Sequence, residues 1–269
     1  MLLRSITKHV RDQNWFAVAL DFVIVVIGVG VAMYGQQWLG DRQQRADMAT
    51  AEIALQTDLI NNYVFAKERV AVAGCRIDAY QALAAQLLEP GEKWTGVPRP
   101  RPDPNSGFQP ALPAVFRSPS RNWASRVWKA GLTRGTFTQM ANQRRETLDT
   151  LFLMTDLAAD VQGDIFALQG RMKTLAVATT VSQSDRLRYY DVLGEMDDKS
   201  DLLELVASQI VQIIEELGID RRPESVPGVV GDVQDFLIQH NEVGQSIYGA
   251  CFVPMDLPAL EVHFTKEPN

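Results

Sequence analysis

Three features of the chain predict an all-α protein, with one N-terminal transmembrane helix followed by a long-helix antiparallel bundle that carries a Pro-rich loop. The first is an apolar run close to the N-terminus. The second is the spacing of apolar residues at alternating steps of three and four, which marks one face of a helix. The third is the scarcity of the apolar–polar alternation that half-buried strands require. Composition sets the outer bounds. With 269 residues, 46% of them hydrophobic and 22% charged, the chain can bury a core and is unlike a disordered one. A net charge of −7 argues against a general nucleic-acid binder, whose footprint is basic. Two cysteines exclude a disulfide scaffold, and three histidines leave little for a metal or acid–base centre.

The apolar run is Phe16 to Gly35, twenty residues with a single charge at Asp21. At about 1.5 Å per residue it covers the roughly 30 Å hydrocarbon layer of a bilayer. Trp15 and Phe16 flank one end, Tyr34 and Trp38 the other, as amphipathic rings favour the interfaces. A cleaved signal peptide fits less well. The run is long for one, and its best small-residue cleavage pattern, Gly30-Val31-Ala32, lies inside it. Residues 16–38 are therefore read as an uncleaved signal-anchor helix. Arg4, Lys8 and Arg11 precede it and Arg42 and Arg45 come after it, a small excess that places the N-terminus in the cytoplasm. Residues 39–269 then form an extracytoplasmic domain, periplasmic in a bacterium, and the expected location is the inner membrane. Residues 1–15, with Leu3, Ile6 and Val10 opposite the basic side chains, read as a short amphipathic segment on the lipid surface.

Within the span, Asp21, Val25, Gly28, Ala32 and Gly35 fall at alternating steps of four and three, with Asn14 and Ala17 continuing the same stripe. Small residues let two helix backbones approach closely in lipid. A carboxylate in hydrocarbon is costly and normally faces protein or water. Two readings of Asp21 stay open: a wet position near the cytoplasmic headgroups, or a hydrogen-bonded place in a packing face. The second makes this stripe the contact for an integral membrane partner or for self-association.

Beyond the span, Leu59, Tyr63, Ala66, Val70, Ala73, Ile77, Tyr80, Ala84 and Leu87 mark a helical seam within 47–88, ended by Pro90-Gly91. The span either continues into this helix as one long rod or breaks from it, with Gly40 the expected place of a break. Residues 89–119 hold eight of the thirteen prolines and read as a loop wrapped on the bundle; a docking arm or a flexible linker are the alternatives. Residues 105–145 lack acids but carry Arg117, Arg121, Arg126, Lys129, Arg134, Arg144 and Arg145, while Trp123, Val127, Trp128 and Leu132 suit a short helix. Their expected complement is the acidic stretch 191–220.

The clearest seam runs through Leu151, Met154, Ala158, Val161, Ile165, Leu168, Met172 and Leu175. Two further helices are expected, about 184–193 and 200–217, the second with Ser200 as its N-cap and Gly218 past its end. A last helix covers about 230–239, and the tail from Cys251 reads as irregular.

Little chemistry emerges. Cys75 and Cys251 form a disulfide in an oxidising compartment or remain two buried thiols. His240 with Glu242, and Glu261 with His263, offer pairs where zinc needs three or four convergent ligands. Nucleophile-elbow, phosphate-loop and dinucleotide motifs are missing. No catalytic, cofactor-binding or metal-binding residue is assigned, and no cofactor is expected.

The opening segment carries a family resemblance. Asn14-Trp15, Asp21-Phe22, Ile24 to Gly28 and Gln36 to Trp38 give the pattern N-W, D-F-x-I-V-V-x-G and Q-x-W. In these roughly 40 residues the chain resembles a family of uncharacterised bacterial single-pass inner-membrane proteins. The resemblance implies the same topology and no activity. The expected function is that of a non-enzymatic accessory or scaffold subunit of an inner-membrane complex, in contact with lipid and a membrane partner but not with nucleic acid. The alternative is a periplasmic helical sensor that works with a separate signalling partner.

Overall fold

The computed structural model describes residues 15–99, 113–217 and 233–256; the side chains of residues 15–18 and 233–236 are not described. Its α-helices are α1 (Trp15–Ala71), α2 (Ala73–Leu88), α3 (Arg126–Arg134), α4 (Asn142–Arg171), α5 (Gln183–Leu217) and α6 (Val233–Tyr248). Two strands of two residues, β1 (Lys93–Trp94) and β2 (Thr179–Thr180), pair antiparallel with Lys93 opposite Thr180. The protein is all-α. It divides into two units, residues 1–50 and 51–269.

In the first unit, the part of α1 with the apolar run is long and apolar enough to cross a membrane, and its apolar window is unburied. Phe22, Ile24, Val31 and Tyr34 are all exposed. The amphipathic segment of residues 1–14 lies outside the described residues. Gly40 sits inside α1, so the predicted break is not there. It falls instead at Val72, between α1 and α2, where the backbone leaves the regular helical path.

The second unit is built on α4 and α5, which pack antiparallel. Lys199 Nζ donates to Asp164 Oδ2 at 2.8 Å, and Arg171 lies 3.9 Å from Glu195. Leu151, Ile165, Leu203, Ile210 and Ile214 between them are 1% exposed or less. Burying each such side chain is worth about 1.5–3 kcal/mol. The seam predicted from Leu151 to Leu175 is buried at every position except Met154, which is half-buried. Helix α5 is continuous where two helices were expected. Ser200 is not an N-cap: it is buried mid-helix, and its hydroxyl bonds back to the Met196 carbonyl at 2.8 Å. Helix α6 runs past Gln239 to Tyr248.

The described parts of the Pro-rich stretch lie on the bundle, as a wrapped loop should. Trp94 is buried and donates to the Leu175 carbonyl at 2.7 Å, and Val97 N–H donates to the same oxygen at 2.8 Å. Residues 100–112 lie outside the described residues, and the docking-arm alternative with them. The Trp-containing segment forms a helix, α3, from Arg126, so the predicted member Trp123 precedes it. Its buried face is Trp128 and Gly131, whereas Leu132 is exposed. Trp128 stacks between Phe137 and Phe152 at centroid distances of 4.7 and 5.7 Å. Gly135 ends α3 in the left-handed region, φ 70°, as a helix C-terminus favours.

Helix α3 starts without a side-chain cap from Ser125, whose hydroxyl goes to Asp156 Oδ1 at 2.7 Å. Asp58 of α1 caps it instead, accepting the Val127 N–H. Burial pushes the Asp58 carboxyl above its ordinary value of 3.8, against the pull of that N–H and of the Arg126 charge. A raised folded-state value means the folded chain holds this proton more tightly than the unfolded one. Its stabilising contribution is present below 3.8 and lost as pH rises through the folded value. Asp58→Asn is therefore expected to raise the melting temperature at pH 7 by roughly 1–3 °C. The gain disappears below about pH 4, a difference that melting curves at the two pH values will read.

Candidate functional site

The stripe predicted in the apolar run lies on α1, and the alternating spacing puts all five positions on one face. Asp21, Val25, Gly28 and Ala32 are exposed and Gly35 is half-buried. A Cβ built on Gly28 or Gly35 would meet nothing within 4 Å. Among the described residues, the chain provides no helix that packs on this face. Asn14 lies outside the described residues.

In the second unit, the polar chemistry gathers around the break at Val72, where the sequence pattern had marked apolar positions. Arg69 and Arg76 are seven residues apart and both buried. Arg76 donates through Nε to Glu204 Oε1 at 2.8 Å and through Nη2 to Glu204 Oε2 at 3.1 Å. Its terminal nitrogens also pair with Asp197 and Asp201. Burial works against the Arg76 charge, but Glu204, Asp197 and Asp201 outweigh it and raise its pKa. The acidic stretch is thus answered by Arg76. The basic segment is used elsewhere: Arg121 forms a two-point pair with Glu68 at 2.6 and 2.7 Å, and Lys129 pairs with Asp156 at 2.6 Å. Within the bundle, those pairs take the place of a direct complement between the two stretches.

The break also anchors the tail. Cys75 on α2 and Cys251, after α6, stand at disulfide distance, with their Cα atoms 5.1 Å apart and 176 residues between them in sequence. Past the cysteine, Val253 N–H donates to the Ala71 carbonyl at 3.0 Å. Asn241 holds Met255 by two bonds, accepting its N–H at 2.8 Å and donating to its carbonyl at 3.0 Å. Phe252 is buried against Gly244, where a side chain would collide with its ring. Between this tail, α1 and α5 lies a cavity of about 390 Å³. Val70, Val211, Val253 and Met255 give it apolar walls, and Lys67 lies at its edge, donating to the Asp256 carbonyl at 3.3 Å.

His240 lies on α6 near Glu242, whereas Glu261 and His263 lie outside the described residues. Among the described residues, no group of three or more His, Cys, Asp or Glu side chains is placed to hold a metal ion. Sequence reasoning missed the buried charges. The signal available was the recurrence of Arg69, Arg76, Leu83 and Leu87 at helical spacing, which aligns two arginines with the apolar seam.

The fold and the span define an all-α bundle protein with one candidate membrane-crossing helix. No protein family, curated protein or solved structure matches the chain.

Proposed function

We propose that the chain is a non-enzymatic single-pass protein of a bacterial inner membrane, serving as an accessory or scaffold subunit of a membrane complex. The N-terminus faces the cytoplasm and the helical bundle lies in the periplasm. The observation that carries this reading is the uncovered stripe of Asp21, Val25, Gly28, Ala32 and Gly35. Small residues along one face of a lipid-embedded helix favour close packing of a second helix, and a carboxylate among them needs a partner there. The Cys75–Cys251 pair fits an oxidising compartment.

The test is purification from native membranes in mild detergent, with mass spectrometry of the proteins that co-elute. A stoichiometric integral membrane protein, or a homo-oligomer held by the span, is expected. Combining Gly28→Ile with Asp21→Leu leaves insertion intact and weakens that assembly on the order of tenfold. A complex that withstands both changes removes the stripe from the reading.

A second reading rests on the cavity beside the tail. Its volume falls within the range of small-molecule pockets, and its apolar walls, with Lys67, Ser208 and Asp256 as the polar members of the lining, suit an amphipathic ligand. On that reading the bundle is a sensor that passes its state to a separate signalling partner. Recovery of the protein alone and monomeric from membranes favours it.

A further inference from the structure

Among the described residues of the second unit, Arg69, Arg76 and Arg186 are buried and Arg121 and Arg145 half-buried; of the buried three, Arg69 has the fewest hydrogen-bond partners. Arg76 has three carboxylates, Arg121 has Glu68, and Arg186 has the backbone carbonyls of Gln86, Glu89 and Lys93. Arg69 is 3% exposed and has one neutral hydroxyl: its Nη1 donates to Ser118 Oγ at 3.2 Å. Its Nη2 is buried with no hydrogen-bond partner among the described residues. A guanidinium does not lose its proton in a protein, so an interior charge persists there. The acid that feels it, Glu204, is committed to Arg76. The Arg76 charge works against it.

Two hydroxyls are associated with the Arg69 guanidinium. Ser118 Oγ accepts from Arg69, which leaves its own O–H to donate. The Tyr248 hydroxyl lies within electrostatic range of Arg69, Arg117 and Arg121. Burial, helped by the Glu68 charge, pushes its pKa up to about 12, so it remains a donor at neutral pH. Arg117 is exposed and gives a positively charged approach from solvent, beside Arg121 in its pair with Glu68.

We propose that Arg69, with the Ser118 and Tyr248 hydroxyls, forms a binding site for a small oxyanion, a carboxylate or a phosphate, that enters past Arg117 and Arg121. The planar fork of a guanidinium matches two oxygens of such a group, and a fixed charge in a site shielded from water binds it strongly. Reaching Nη2 requires the segment with Ser118, or the Tyr248 side chain, to give way, so association is slower than simple diffusion. The site is independent of the membrane stripe and of the cavity beside the tail.

The test uses the full chain in detergent, titrated with inorganic phosphate and with acetate against chloride at matched ionic strength, by calorimetry and thermal melting. Saturable one-to-one binding of phosphate or acetate, with a rise in melting temperature, is expected, and the anion that binds identifies the class. Arg69→Met loses about tenfold to hundredfold in affinity. Ser118→Ala and Tyr248→Phe, smaller changes that keep the fold should Arg69→Met not fold, each lose several-fold. Equal responses to all three anions, or affinities unchanged across these variants, overturn the proposal.

Discussion

Removing the bridge by changing Cys75→Ser together with Cys251→Ser, or by reducing it in the intact chain, is expected to lower the melting temperature by about 10–20 °C. The bridge closes a loop of 176 residues. In the chain-entropy account, a loop of that length restricts the unfolded ensemble by about 5 kcal/mol. The structural consequence is local. The tail reaches Ala71 through one backbone bond from Val253, touches Lys67 through the Asp256 carbonyl, and is otherwise held from its own side by Asn241. Without the covalent link, these exposed and half-buried bonds compete with water, each worth about 1 kcal/mol. The tail and α6 should therefore loosen at a temperature where α4 and α5, closed on Leu151, Leu203 and Ile210, remain folded. Hydrogen exchange read by residue will show this as lost protection confined to residues 237–256. A melting shift of only a degree or two, with no change in that region, would mean the tail is held by packing alone.

The sequence made the bundle legible where one rule governed a whole helix. From Leu151 to Leu175 apolar spacing and burial coincide, because α4 is one unbroken helix packed against α5. The rule failed at Val72. Leu59, Tyr63, Ala66, Tyr80 and Leu87 of the predicted seam are buried, but on both sides of the irregular step between α1 and α2 the buried face departs from it. Val70 and Ile77, predicted inside, are 44% and 42% exposed, while Val72 and Arg76 are buried in their place. The only local hint is Gly74, a residue that weakens a helix, since 70–74 contains neither proline nor a polar cluster. The restoring force is tertiary: Arg76 meets three carboxylates of α5, and Ala71 gains the Val253 N–H. Ser200 was misread for a related reason. A serine beside Asp197, Asp198 and Lys199 resembles a helix start, yet Asp197 and Lys199 pair with neighbouring helices through Arg76 and Asp164, and the hydroxyl satisfies itself on the Met196 carbonyl. The stripe in the span was legible because it needs only helical spacing. The arginines at the break were not, because pattern reading counts apolar residues as core and charged ones as surface.

Arg76 gives the second large expected effect. Its side chain is 7% exposed and contacts Glu204, whose own side chain is 15% exposed, together with the more open Asp197 and Asp201. Replacing it by methionine keeps much of the volume but leaves three carboxylates converging without a cation. Removing one partner of a buried pair costs about 3–5 kcal/mol, because the other charge stays desolvated and unanswered. For a chain of this size that corresponds to a fall of roughly 6–20 °C in melting temperature. The open carboxylates contribute little, since water screens them. The residue that decides the size of the effect is Glu204. Combining Arg76→Met with Glu204→Leu should therefore recover most of the loss, as a well-packed apolar pair in place of a buried ion pair is often neutral or better. Asp201→Asn in the same background should recover much less. Melting curves of the three proteins distinguish the cases. Recovery by Asp201→Asn equal to that by Glu204→Leu would make general repulsion, rather than the buried Glu204 charge, the source of the cost. The comparison also bears on why the break at Val72 exists. If the double variant melts like the parent chain, the ion pair is dispensable for stability, and its remaining effect is to fix the rotation of α2 relative to α5 that brings Cys75 to face Cys251.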